Sequence, residues 1–149
     1  MTKKIKYQFI CSWVTPNRPV PKKRAKVGKK KDGSSVAYYP EPSRGSKRPS
    51  YVTYKNQVAV DCRNAMISGP VYYGGVDSVG RYRLTVTIYT TADGHGDWDN
   101  LGGTFSDAIE GIIWANDNQV AEGHVYKILD LDPANSRTEI SIDRLVPPY

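Results

Sequence analysis

Arg81-Tyr82-Arg83-Leu84-Thr85-Val86-Thr87-Ile88-Tyr89-Thr90 alternates strictly, with Tyr82, Leu84, Val86 and Ile88 on one side and Arg81, Arg83, Thr85, Thr87 and Tyr89 on the other. Side chains of an extended backbone point to opposite faces in turn, so this is a half-buried strand, the strongest in the sequence. It runs into Thr91-Ala92-Asp93-Gly94-His95-Gly96, a turn, and then into Asp97-Trp98-Asp99-Asn100. Leu101, Phe105, Ala108, Ile109 and Ile112 follow at the spacing of a helix with one apolar stripe. Gly102 and Gly103 in its first turn cost helix propensity, roughly 1 kcal/mol each relative to Ala, so close approach of another chain or of substrate backbone is expected there.

Upstream, Ser50 to about Ser68 repeats with a helical period: Tyr51, Tyr54, Val58, Cys62, Ala65 and Met66 share a face, Ser50 is an N-cap after Pro49, and Gly69-Pro70 ends the run. Lys6 to Val14 is rich in aromatic and β-branched residues and reads as a first strand stopped by Pro16. Downstream, Gly111 to Val120 turns the helix back into a strand, and Val125–Ile128 and Thr138–Ile142 supply two more. The order strand, loop, helix, strand, helix, strand, strand predicts an α+β fold: one domain over residues 1–149, a mixed β-sheet with helices packed on one face.

A chain of 149 residues, 39% hydrophobic and 24% charged, buries a real core without disulfides or structural zinc. Cys11 and Cys62, with only His95 and His124 as partners, are too few for a zinc cluster and are expected as buried thiols in a reduced cytoplasmic protein. The basic N-terminus is followed by an apolar run that Gln8, Ser12 and Pro16 interrupt, which excludes a signal or membrane segment.

The formal net charge is +6, unevenly spread. Residues 22–48 carry ten Lys and Arg, among them Lys22, Lys23, Arg24, Lys26, Lys29, Lys30 and Lys31, against only Asp32 and Glu41. This stretch, with Pro19, Pro21 and several glycines, predicts a long flexible basic loop suited to a polyanion, or else a solubilising arm. Between Arg83 and Lys127 there is no Lys or Arg, while Asp93, Asp97, Asp99, Asp107, Glu110, Asp117 and Glu122 supply seven carboxylates. Carboxylates concentrated in this way repel one another unless a cation, a proton or open water neutralises them. Oxygen-only ligands suit Mg²⁺ or Mn²⁺, with remaining positions left to water and phosphate. Asp97 and Asp99, two apart, converge on one ion if the backbone there is extended; equally, they serve as turn or cap residues. A calcium-hand loop is excluded, because Leu101 and Ala108 stand where oxygen ligands are needed.

Taken together, Pro19-Val20-Pro21-Lys22-Lys23-Arg24, Tyr39-Pro40, the Tyr51–Lys55 helix, Asp97-Trp98-Asp99-Asn100-Leu101, Asp107-Ala108, Gly111-Ile112-Ile113-Trp114, Asn116-Asp117-Asn118-Gln119-Val120 and Glu139-Ile140-Ser141-Ile142 make the chain resemble the RusA-type Holliday junction resolvases, nucleases often carried by prophages. The resemblance implies a Mg²⁺-dependent endonuclease, active as a homodimer, that cuts paired strands of a four-way DNA junction in recombination and repair. By position, Asp97, Asp99 and Asp117 match the family's catalytic, metal-holding carboxylates, and Asn100 matches an Asn that orients an Asp or caps the helix. Lys22 to Lys31 would hold DNA. Asp107, Glu110 and Glu122 are then left as helix and surface residues.

One position departs from the family. Gly103 stands where relatives usually carry a Lys, a cation that would stabilise charge on the phosphate. Lys22, Lys23, Arg24, Lys127 or a dimer partner would have to supply it. The alternatives are a relative that binds junctions without cutting them, or a nuclease of flaps and forks.

Overall fold

The computed structural model describes residues 4–17, 19–20, 26–38, 50–69, 75–90, 98–129 and 132–147. In chain order the elements are β1 (Tyr7–Pro16), β2 (Lys26–Lys29), β3 (Ser35–Tyr38), α1 (Tyr51–Ser68), β4 (Tyr82–Thr90), α2 (Trp98–Ile109), β5 (Val120–Leu129) and β6 (Arg137–Leu145). Four strands form one sheet in the order β1-β6-β4-β5, with β6 antiparallel to both neighbours and β5 parallel to β4. The α+β architecture with a mixed sheet is the one expected from the sequence. The parallel pair requires a crossover, and α2 supplies it.

The alternation of β4 is the sheet's dividing line. Tyr82, Leu84, Val86 and Ile88 are all buried, while Arg83, Thr85, Thr87 and Tyr89 are half-buried. On the buried side the helices bring Tyr54, Val58, Cys62 and Met66 from α1 and Leu101, Phe105, Ala108 and Ile109 from α2, facing Ile140 and Ile142 of β6. Fully burying one such apolar side chain contributes about 1.5–3 kcal/mol. The two helices meet where Tyr54 and Phe105 stack edge to face, 6.0 Å between centroids. Ser50 caps α1 as expected, its hydroxyl oxygen accepting from the Thr53 N–H at 3.1 Å. In β1 the register slips between Phe9 and Cys11, and both Ile10 and Cys11 are buried in succession. A bulge places one extra residue opposite its partner, and here it gives the core two consecutive side chains. Cys11 and Cys62 are free buried thiols, each pushed up to about 12 by burial, which keeps them unreactive.

Two local expectations are corrected. The basic stretch is not a loop throughout: β2 and β3 pair antiparallel, Lys26 opposite Tyr38 and Lys29 opposite Ser35. Turn chemistry explains this. Asp32 accepts from the Ser34 N–H at 2.9 Å, Gly33 has φ +86°, and Lys30 N–H donates to the Ser34 carbonyl at 2.8 Å. Second, α2 begins at Trp98, so Asp99 and Asn100 lie within its first turn instead of capping it. Gly102 has a concrete reason to be small, because a Cβ there would sit 3.1 Å from Val125 Cγ2 on β5.

Candidate functional site

The turn before β5 is built around Gln119, a side chain 7% exposed. Its Oε1 accepts from the N–H of Ala115 (3.0 Å) and of Asn116 (3.1 Å), and its Nε2 donates to the carbonyls of Asp77 and Gly80, each at 3.0 Å. The Asn116 side chain in turn accepts from the Asn118 N–H at 3.0 Å, completing the cap of a short 3₁₀ turn, Asp117–Gln119. Trp114, fully buried, packs on Tyr82 at the start of β4, 5.4 Å between centroids. This scaffold fixes the backbone on either side of Asp117 while its carboxylate stays exposed.

Asp117 faces the second half of α2. Carboxylate oxygens of Asp107, Glu110 and Asp117 lie within 4.8 Å of one another. Asp107 and Glu110 are three residues apart on the helix surface, and the Glu110 N–H still bonds the Ser106 carbonyl at 3.1 Å, so the two side chains share a face. The Tyr51 hydroxyl of α1 donates to Asp107 Oδ2 at 3.2 Å. Three carboxylates this close suit a hard divalent cation such as Mg²⁺ or Mn²⁺.

Of the residues expected from the sequence, Asp97 and the side chain of Asp99 lie outside the described residues, as do Lys22, Lys23, Arg24 and the side chain of Lys26. The backbone of Asp99 is eight residues before Asp107 on the same helix, roughly 12 Å along the axis. The structure therefore brings Asp117 to Asp107 and Glu110, two residues that sequence reading left as ordinary helix and surface positions. Their i, i+3 spacing inside the interval lacking Lys and Arg was the available signal. Asn100 is exposed in the first turn of α2. Lys29, Lys30 and Lys31 are exposed at the tip of the β2–β3 hairpin.

The stem of the basic segment is tied to the same helix. Thr104, fully buried, donates from its hydroxyl to the Val20 carbonyl at 2.8 Å, and its Oγ1 also lies 3.2 Å from the Asn100 carbonyl, so one proton serves two acceptors. Pro21 and the Lys22-Lys23-Arg24 run follow directly in the chain.

A second polar network lies on the sheet face opposite the helices. The Arg83 guanidinium stacks on the Tyr7 ring, 3.7 Å to its centroid, and pairs with Asp143 at 3.0 Å. The Tyr7 hydroxyl donates to Glu122, which also meets His124 Nε2 at 2.7 Å. The Tyr7 bond and the His124 contact hold the Glu122 carboxyl below its usual range, and the same bond raises Tyr7. Glu122 is thus committed to β-sheet contacts and is separate from the Asp117 group.

A family model described as Endodeoxyribonuclease RusA matches residues 16–143 of this chain. No curated protein matches it significantly.

Proposed function

From the premise that the chain belongs to the RusA endodeoxyribonuclease family, we propose that it is a Mg²⁺-dependent endonuclease that resolves four-way DNA junctions as a homodimer in the cytoplasm. Support for a metal at this site comes from one observation above all, the meeting of Asp107, Glu110 and Asp117. Asp97, Asp99 and Asp117 are the residues we assign to catalysis, with Asp107 and Glu110 beside Asp117. A divalent ion held there would supply a nucleophile at neutral pH and offset charge on the departing oxygen. The chain's own part is to hold carboxylates on a rigid helix and turn, with Gln119 fixing the turn and Asn100 supporting the first turn of α2. The basic segment, Lys22, Lys23, Arg24, Lys26, Lys29, Lys30 and Lys31, grips phosphates regardless of sequence.

The test is cleavage of a synthetic four-way junction. Asp117→Asn abolishes Mg²⁺-dependent product, a loss of roughly 10²-fold or more, and leaves junction binding intact; wild-type cleavage that survives EDTA overturns the metal assignment. Mn²⁺ is expected to replace Mg²⁺. Gly103 favours a second reading, a relative that binds junctions without cutting them. Duplex, single strand, flap and fork substrates run beside the junction decide between these and a broader structure-selective nuclease. Light scattering of the purified chain reads the homodimer directly.

A further inference from the structure

We propose that Tyr51 is a positioning residue of the metal site: its buried hydroxyl holds the Asp107 carboxylate in place to share a divalent ion with Glu110 and Asp117. The inference rests on the metal-dependent reading above and goes beyond it in giving a residue of α1 a part in holding the ion. Carboxylate oxygens of Asp107, Glu110 and Asp117 lie within 4.8 Å of one another, and like charges at that spacing push one another apart. An Asp on a helix surface relieves the repulsion by turning to another rotamer, away from the place where an ion is shared. The Tyr51 hydroxyl opposes that turn by donating to Asp107 Oδ2 at 3.2 Å. An ionised carboxylate accepts at about four lone-pair sites, so this bond leaves room for a metal.

Tyr51 suits the task because it is itself held. It is 5% exposed and is the first residue of α1, where the Ser50 cap fixes the backbone. A turn on, Tyr54 stacks edge to face on Phe105, two residues before Asp107 on α2, and so locks the two helices together beside the hydrogen bond. Lys55 stands over the Tyr51 ring, 6.0 Å from its centroid. A donor on one helix therefore steadies a ligand on the other, while the capped turn Asp117–Gln119 presents the third element's carboxylate. Outer hydrogen bonds of this kind fix the orientation of ligating side chains, and losing one typically costs about 10–100-fold in metal affinity or activity.

Mn²⁺ binding to the DNA-free chain, read from the paramagnetic resonance of unbound Mn²⁺, and the Mg²⁺ dependence of junction cleavage are measured for wild type, Tyr51→Phe, Asp107→Asn and the double variant, with urea unfolding of each. Tyr51→Phe keeps the ring and removes the donor. It weakens Mn²⁺ binding about tenfold or more, raises the half-saturating Mg²⁺ concentration by a similar factor, and cleaves near the wild-type rate once Mg²⁺ saturates. Asp107→Asn weakens Mn²⁺ binding at least as far, and adding Tyr51→Phe to it changes little more, because the hydroxyl acts through that carboxylate. Wild-type Mn²⁺ affinity in Tyr51→Phe overturns the inference, even where the urea midpoint falls, since that loss is packing alone. Losses that multiply in the double variant overturn it too, as does unaltered Mn²⁺ affinity in Asp107→Asn or a wild type that takes up no Mn²⁺. Each of these outcomes leaves the nuclease reading to its own test, junction cleavage by Asp117→Asn. A wild type that binds Mn²⁺ in the expected pattern yet cuts no DNA removes the nuclease reading and leaves the role of Tyr51 standing.

Discussion

Gln119 saturates four backbone groups with one side chain and is nearly buried. Gln119→Leu keeps the volume and removes all four bonds; the Ala115 N–H and the Asp77 carbonyl keep their bond to each other at 3.0 Å, so the Asn116 N–H and the Gly80 carbonyl lose the partner that held them, and each buried orphan costs about 1–3 kcal/mol, reduced where water reaches it. Urea unfolding is expected to report a loss of roughly 2–4 kcal/mol, with cleavage falling alongside because Asp117 loses its frame. Asp77 gives the pH dependence at this scale. Burial disfavours its charged form, but the Tyr82 hydroxyl, the Val79 and Gly80 N–H groups and Arg144 outweigh that and hold the carboxyl below its ordinary 3.8. A depressed carboxyl adds stability that is complete above the unfolded value and lost as pH falls through the folded one. The urea midpoint should therefore drop below about pH 4, and Asp77→Asn should lower it at neutral pH while flattening that acid limb. The sequence marks Gln119 as part of a turn, but its role is not legible there: its partners at Asp77 and Gly80 lie some forty residues away in the chain.

Among the elements, β4 and α2 were legible because their periodicity is local and one face of each meets the core. The β2–β3 hairpin was not, since a Lys-rich tract with no apolar alternation gives no period and only Asp32-Gly33 marks its turn. Nor was the convergence of Asp107 and Glu110 on Asp117, which depends on the length of α2 and on where the chain returns to the sheet. Thr104 belongs to this scale, as the link between α2 and the stem of the basic segment. Thr104→Val preserves shape and removes the donor, at a cost of about 1 kcal/mol in stability, more where the Val20 carbonyl stays dry. It should also weaken junction binding at low salt, while Thr104→Ser retains both; gel-shift titrations beside urea melts check the pair.

At the scale of the molecule, an acidic edge on α2 and a basic hairpin coexist in a chain of net charge +6. Neutralising Lys29, Lys30 and Lys31 to Gln should weaken DNA binding across all sequences and reduce the slope of log affinity against log salt by up to about 0.9 for each phosphate no longer neutralised. A filter-binding salt series reads that slope; an unaltered one removes the hairpin from the DNA interface.

The sheet order has one more consequence. β1 pairs with β6, Tyr7 opposite Leu145, and β6 stands between β1 and β4. During synthesis β1 therefore has no partner in this sheet until β6 has emerged, and the β4–β5 pair waits as a sheet of two. Such long-range pairing slows folding, because the sheet cannot close until β1 and β6, at opposite ends of the fold, find each other.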